Sequence, residues 1–134
     1  MTLSATELEQ YLGHAGWSYQ RIDPHVLGLA FRGKAATFPF FVRLTADWIF
    51  FTIIPFVPTP NKDEHALFRV YRRLLELNRE INLAKFALDE EGDVVLTVEL
   101  PTESVSPSEL DDALAALCLY ADAHYVELRD LARG

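Results

Sequence analysis

The chain has 134 residues, 50% of them apolar and 12% aromatic, with a net charge of −8. That composition suits one domain (1–134) with a single real core and excludes a disordered chain. An acidic surface repels phosphate backbones, which disfavours direct nucleic-acid binding, and one cysteine, Cys118, excludes an intrachain disulfide.

Ser4 with Glu7 three residues later is a capping box, and Leu8, Tyr11, Leu12 and Ala15 mark one face of the helix it opens. Gly16 is its natural stop. Short strands are expected at Trp17 to Ile22, Val26 to Phe31 and Phe38 to Leu44, the last with Phe38, Phe40, Val42 and Leu44 on one side. Trp48 to Phe56 is apolar on both faces. Trp48, Phe50, Ile54 and Phe56 are expected on one side, and Ile49, Phe51, Ile53 and Val57 on the other. Such a strand needs cover on both faces, one from the chain's own helices and the other from a second subunit or a bound segment.

Pro58-Thr59-Pro60-Asn61 is a stiff connector to a helix over Asp63 to Ile81. Its stripe is Leu67, Val70, Tyr71, Leu74, Leu77 and Ile81, with four acidic and four basic residues balanced elsewhere. Asn78 and Asn82 lie one turn apart near its end, where Asn tolerates the left-handed closing conformation. Phe86 and Leu88 begin a hairpin turned by Asp89-Glu90-Glu91-Gly92. Val94, Leu96, Val98 and Leu100 return on its apolar face, and Asp93, Thr97 and Glu99 face water. Ser106-Pro107-Ser108-Glu109 starts a last helix, to about Leu131, with Leu110, Leu114, Leu117, Ala121, Tyr125 and Leu128 inward. The order α-β-β-β-β-α-β-β-α predicts an α+β domain with a mainly antiparallel sheet.

Catalytic chemistry has no visible signature. The histidines 14, 25, 65 and 124 make no HExxH or Cys–His set, and GxSxG, phosphate-loop and GxGxxG patterns are absent. His65 after Asp63-Glu64 offers at most a weak metal set, and a helix start explains it better. Glu90, Glu91, Asp111 and Asp112 fall in a turn and a helix start. Cys118 sits in an apolar helical run, as a buried inert thiol does. The phenylalanines could stack bases only beside a basic groove, whereas residues 1–60 are charge-neutral and residues 82–134 carry three basic and twelve acidic side chains. That imbalance suits a cationic or partly unfolded protein partner. No cofactor or metal is expected. The opening MTLSATELEQ lacks the features of a secretory signal, and Trp48 to Val57 is too short to span a bilayer, so a cytoplasmic protein without membrane contact is expected.

The pattern Leu77-Asn78, Ile81-Asn82, Lys85-Phe86-x-Leu88-Asp89-x-x-Gly92-x-Val94, followed by a long Leu- and Ala-rich helix, resembles the bacterial YbjN-like family. Trp17-x-Tyr19, the apolar strands and the prolines before the middle helix are also similar, so the likeness spans nearly the whole chain. The resemblance implies a fold like that of type III secretion chaperones, which are small, acidic, cytoplasmic and usually dimeric. It also implies a description as sensory transduction regulators, and it brings no catalytic residues. Nothing in the sequence points to an export apparatus.

The expected function is therefore a non-enzymatic, homodimeric chaperone-like or adaptor protein that holds a client protein on exposed apolar surface. Phe51, Ile53, Leu67, Val70, Tyr71 and Leu74 are the candidate dimer or client contacts. A small-molecule-sensing regulatory domain, in sensory transduction or stress, is the alternative.

Overall fold

The Ser4 capping box forms. In the computed structural model, which describes residues 1–134, the Ser4 hydroxyl accepts from the Glu7 N–H and the Glu7 carboxylate from the Ser4 N–H, each at 3.1 Å. Helix α1 spans Ala5–His14 and the chain turns at Gly16, whose φ of +88° suits a residue without Cβ. Trp17 does not begin a strand. It packs edge-on against Phe40 with ring centroids 5.6 Å apart, and β1 is only Gln20–Asp23.

Strands β2 (Val26–Arg32), β3 (Thr37–Leu44) and β4 (Trp48–Val57) follow, then α2 (Glu64–Glu80), β5 (Ala84–Leu88), β6 (Val94–Pro101) and α3 (Pro107–Arg133). Ser106 and Glu109 form the second capping box, with Pro107 in the first turn. The element order is the predicted one. Because β6 inserts between β4 and β5, the six strands form one antiparallel sheet in the order β1-β2-β3-β4-β6-β5.

Strand alternation sends one residue set to the helices. Leu27, Leu29, Phe38, Phe40, Val42, Ile49, Phe51, Ile53, Phe86, Leu96 and Val98 join Leu8, Leu12, Val70, Leu77, Leu114, Leu117 and Leu128 in a single core. All three helices therefore cover one face of the sheet, and the other face is open. At the core's centre Phe56 lies 5.8 Å from Phe38 and 5.9 Å from Phe86, centroid to centroid. Truncating such a ring to Ala costs about 3–5 kcal/mol.

Phe56 was expected beside Trp48, Phe50 and Ile54, on the opposite face. The pairing of β4 with β6 slips between Ile53 and Val57, where Pro55 has no N–H to continue the ladder. After the slip both Phe56 and Val57 are buried. Thr97, expected in water, is also buried, and its hydroxyl is satisfied by that of Thr52 at 2.9 Å.

Asn78 does different work from helix closure. Asn78 Nδ2 donates to the Phe86 carbonyl at 3.0 Å, and Asn78 Oδ1 accepts from the Phe86 N–H at 2.8 Å. One carboxamide thus satisfies both outward backbone groups of Phe86 on edge strand β5, which would otherwise be free to pair with another chain. The left-handed residue after α2 is Leu83, at φ +68°, not an asparagine. No helix is long and apolar enough to cross a membrane.

Candidate functional site

The open face of the sheet follows directly from the strand register. One row across it reads Gln20, Gly28, Phe41, Thr52, Thr97 and Lys85, and the next reads Asp23, Val26, Arg43, Phe50 and Glu99. Trp48 and Ile54 stand at the two ends of β4 on this face, 47% and 44% exposed. Gly28 leaves room for Ile22, whose side chain lies over it. The result is a mixed surface without a helix on it, where Ile22, Phe41, Trp48, Phe50 and Ile54 stand among threonine, glutamine and charged side chains. Isolated exposed apolar residues are ordinary, but a contiguous set marks an interaction surface.

Its charges are few. The Arg43 guanidinium lies 4.2 Å above the Phe50 ring centroid, a cation–π geometry, and takes no carboxylate partner within the chain. Lys85 pairs with Glu99 at 3.2 Å. With Arg32 at the end of β2 and Asp23 opposite Val26, the open face carries three cations and two carboxylates, and Asp89, Glu90, Glu91 and Asp93 surround Ile54 at its edge.

A second apolar strip lies on α2. Phe68 and Leu75 are 60% and 72% exposed. Seven residues apart, they share one helix face with Glu64, Tyr71, Arg72 and Arg79. Asp63 caps this helix, accepting from the His65 and Ala66 N–H groups at 3.1 and 3.2 Å. Its carboxylate is thus committed to the helix start, as the sequence suggested for the Asp63–His65 cluster.

The six candidate contacts fall into two groups. Phe51, Ile53, Val70 and Leu74 are buried in the chain's own core, so they are corrected to core residues. Each lies on the helix-facing side of its strand or the sheet-facing side of α2, where the chain itself supplies the cover. Leu67 and Tyr71 are half-buried and reachable. Phe41, Phe68 and Leu75, which are exposed, were not singled out, whereas Trp48 and Ile54 lie on the face of β4 that the chain's own helices leave uncovered, where a second subunit or a bound segment was expected. The seven-residue spacing of Phe68 and Leu75 between arginines was the available signal.

Asp89, Glu91 and Asp93 can bring one oxygen each within 4.8 Å of one another. Two of these carboxylates already hold the loop. Asp89 Oδ1 accepts from the Glu91 and Asp93 N–H groups, and Asp93 Oδ1 accepts from the Thr59 N–H at 2.8 Å. His124 stacks on Tyr120 with centroids 6.4 Å apart and meets the Phe86 ring edge-on. Burial holds its pKa below the usual histidine value. Burial pushes the half-buried Cys118 thiol up to about 11, which disfavours the thiolate and agrees with an unreactive sulfur.

The comparisons with known proteins agree with this architecture. The profile of the YbjN family, described as "Putative bacterial sensory transduction regulator", matches residues 4–130. No curated protein matches the chain in sequence. Among solved structures, a chain of the ExsC–ExsE complex is similar with a TM-score of 0.67 at 18% identity, over 96% of this chain and 97% of that one. A chain of the heterodimeric ExoU–SpcU complex, from the type III secretion system of Pseudomonas aeruginosa, gives 0.60 at 17% identity, over 92% and 96%. A chain of the HopA1–SchA chaperone–effector complex gives 0.60 at 16% identity, over 93% and 91%. At these identities the likeness is one of fold. A six-stranded antiparallel sheet covered on one face by three helices is the expected type III secretion chaperone-like arrangement, and with nearly its whole length matched by the family profile the chain belongs to the YbjN family.

Proposed function

We propose that this protein is a non-enzymatic, chaperone-like or adaptor protein that forms a homodimer and binds a client protein through exposed apolar surface, in the cytoplasm. The observation that carries the reading is the apolar surface left over after the core is complete: the open sheet face and the Phe68–Leu75 strip. Membership of a chaperone-like fold is in keeping with it, though fold alone does not assign function.

The α2 strip is self-complementary, which favours a second copy as its cover. In an antiparallel contact about a twofold axis between Tyr71 and Arg72, Phe68 meets the second copy's Leu75 and Glu64 meets its Arg79. Tyr71 sits beside the second copy's Arg72. Neither Glu64 nor Arg79 makes an ion pair within the chain. Leu67 and Tyr71 form the margin of this contact. Sedimentation equilibrium tests it: the wild type is expected as a dimer at micromolar concentration, and Phe68→Glu with Leu75→Glu as a folded monomer. Exchanging the charges, Glu64→Arg with Arg79→Glu, restores the dimer that either change alone weakens. A dimer that survives the double glutamate variant contradicts the α2 contact, and a wild type that stays monomeric contradicts the homodimer.

A second reading, a small-molecule-sensing regulatory domain, is favoured by the family description and by an open cleft of about 990 Å³ lined by Asp23, His25, Val26, Arg43 and Leu44. A compound that raises the melting temperature without changing the mass supports that reading.

A further inference from the structure

We propose that the homodimer carries an anion site on its twofold axis, built from Arg69 and Arg72 of both copies, which takes a phosphate group and tightens the dimer when filled. The inference rests on the α2 homodimer contact and adds its regulation. Residues advance by about 100° around an α-helix, so Arg69 and Arg72 fall on one flank of the Phe68–Leu75 strip, and Leu67 and Tyr71 on the other. A twofold axis between Tyr71 and Arg72, normal to the plane of the paired helices, keeps like flanks together. The two Arg72 side chains are then neighbours across the axis. With helix axes about 8–10 Å apart, their Cβ atoms lie about 4–6 Å from each other.

This flank holds more arginine than carboxylate. Glu76 lies 3.9 Å from Arg72 and 3.8 Å from Arg73. Arg73 is already bound to Glu127 at 2.7 Å, and Arg69 makes no ion pair within the chain. Glu80 lies about 12 Å beyond Arg72 along α2, too far to serve the axis. Pairing two copies therefore gathers four arginines, at 69 and 72, around two Glu76 carboxylates. No exchange of partners between the copies neutralises them all. Like charges this close oppose assembly, even on a chain of net charge −8. A phosphate group carries about two negative charges and presents oxygens to a guanidinium from each copy, so it offsets that repulsion. The full site exists only in the dimer, and by mass action its ligand favours the dimer.

Sedimentation equilibrium of the full chain, in chloride and in pyrophosphate at equal ionic strength, tests the site. Pyrophosphate is expected to lower the dimer Kd, by about sixfold when present at about five times its own dissociation constant. In chloride, Arg72→Gln is expected to dimerise at least as tightly as the wild type, because the repulsion is gone, and to lose most of the response to pyrophosphate. That variant also carries the general salting effect of a polyanion on an apolar contact, and is the control for it. A wild-type dimer with the same Kd in both salts overturns the anion site and leaves the homodimer standing. An undiminished pyrophosphate response in Arg72→Gln, or a chloride dimer weakened by that substitution, overturns the site as well. A wild type that is monomeric in both salts overturns the homodimer and the site together.

Discussion

Asn78→Ala removes one side chain and two hydrogen bonds from the edge of β5. The Phe86 N–H and carbonyl, bonded to Asn78 at 2.8 and 3.0 Å, then lie under α2 with reduced access to water. Each bond contributes about 1 kcal/mol net, and a poorly hydrated orphan group adds to the loss. The substitution is therefore expected to cost about 2–3 kcal/mol. With an m-value of about 2 kcal/mol/M the urea midpoint falls by roughly 1–1.5 M, with m unchanged, at one fixed protein concentration. Asn78→Asp is at least as damaging at pH 7, since a carboxylate accepts from the Phe86 N–H but opposes its carbonyl oxygen. Relative to the wild type at the same pH, the Asp variant recovers part of the loss near pH 3.5, where a protonated carboxyl donates again. Amide exchange at Phe86 accelerates in both variants. A midpoint shift below about 0.25 M, or unchanged exchange at Phe86, refutes the edge-capping account.

Leu83 is exposed and held at φ +68°, a conformation that costs a side chain with a Cβ about 1 kcal/mol. Leu83→Gly is expected to leave stability unchanged or raise it by up to about 1 kcal/mol in urea melts, and a loss above 1 kcal/mol contradicts the strain. Gly33→Ala places a Cβ against the Asp122 carboxylate, 2.9 Å from its Cγ, and that carboxylate accepts from the Ala35 N–H at 2.7 Å. Displacing it is expected to cost about 1–2 kcal/mol, whereas Asp122→Ala with Gly33→Ala costs little more than Asp122→Ala alone. His124 has its folded-state pKa depressed by burial, so the unfolded chain binds its proton more readily. Stability from this residue is complete above about pH 6.5 and falls as pH drops below it. His124→Gln flattens that part of the stability–pH curve, and an unchanged curve contradicts the assignment.

The order of elements was legible because capping boxes, turn glycines and strand alternation are local signals. Ser4 with Glu7, Ser106 with Glu109, and Gly92 at φ +84° act as their residue types dictate. Which side of an element its own chain covers is not a local property. Val70 and Leu74 lie on the apolar stripe of α2, but only the docking of α2 against β5 and α3 shows that this stripe is already used. The exposed Phe68 and Leu75 then become the informative pair. The slip at Pro55 turned Phe56 into the core while Val57 kept its expected face, because β4 spends two extra residues against β6 between Ile53 and Val57. Asn78 was placed correctly at the helix end, yet its partner is eight residues away along the chain, beyond any capping pattern.

The central claim is that the apolar surface left outside the core binds another protein. Tagged protein is purified from nuclease-treated native lysate beside a Phe50→Asp, Ile54→Asp variant that retains the wild-type circular dichroism. The account predicts one or two stoichiometric proteins with the wild type and their loss with the variant. A wild-type eluate holding only the bait under stress and non-stress growth, or a partner retained equally by the variant, contradicts it.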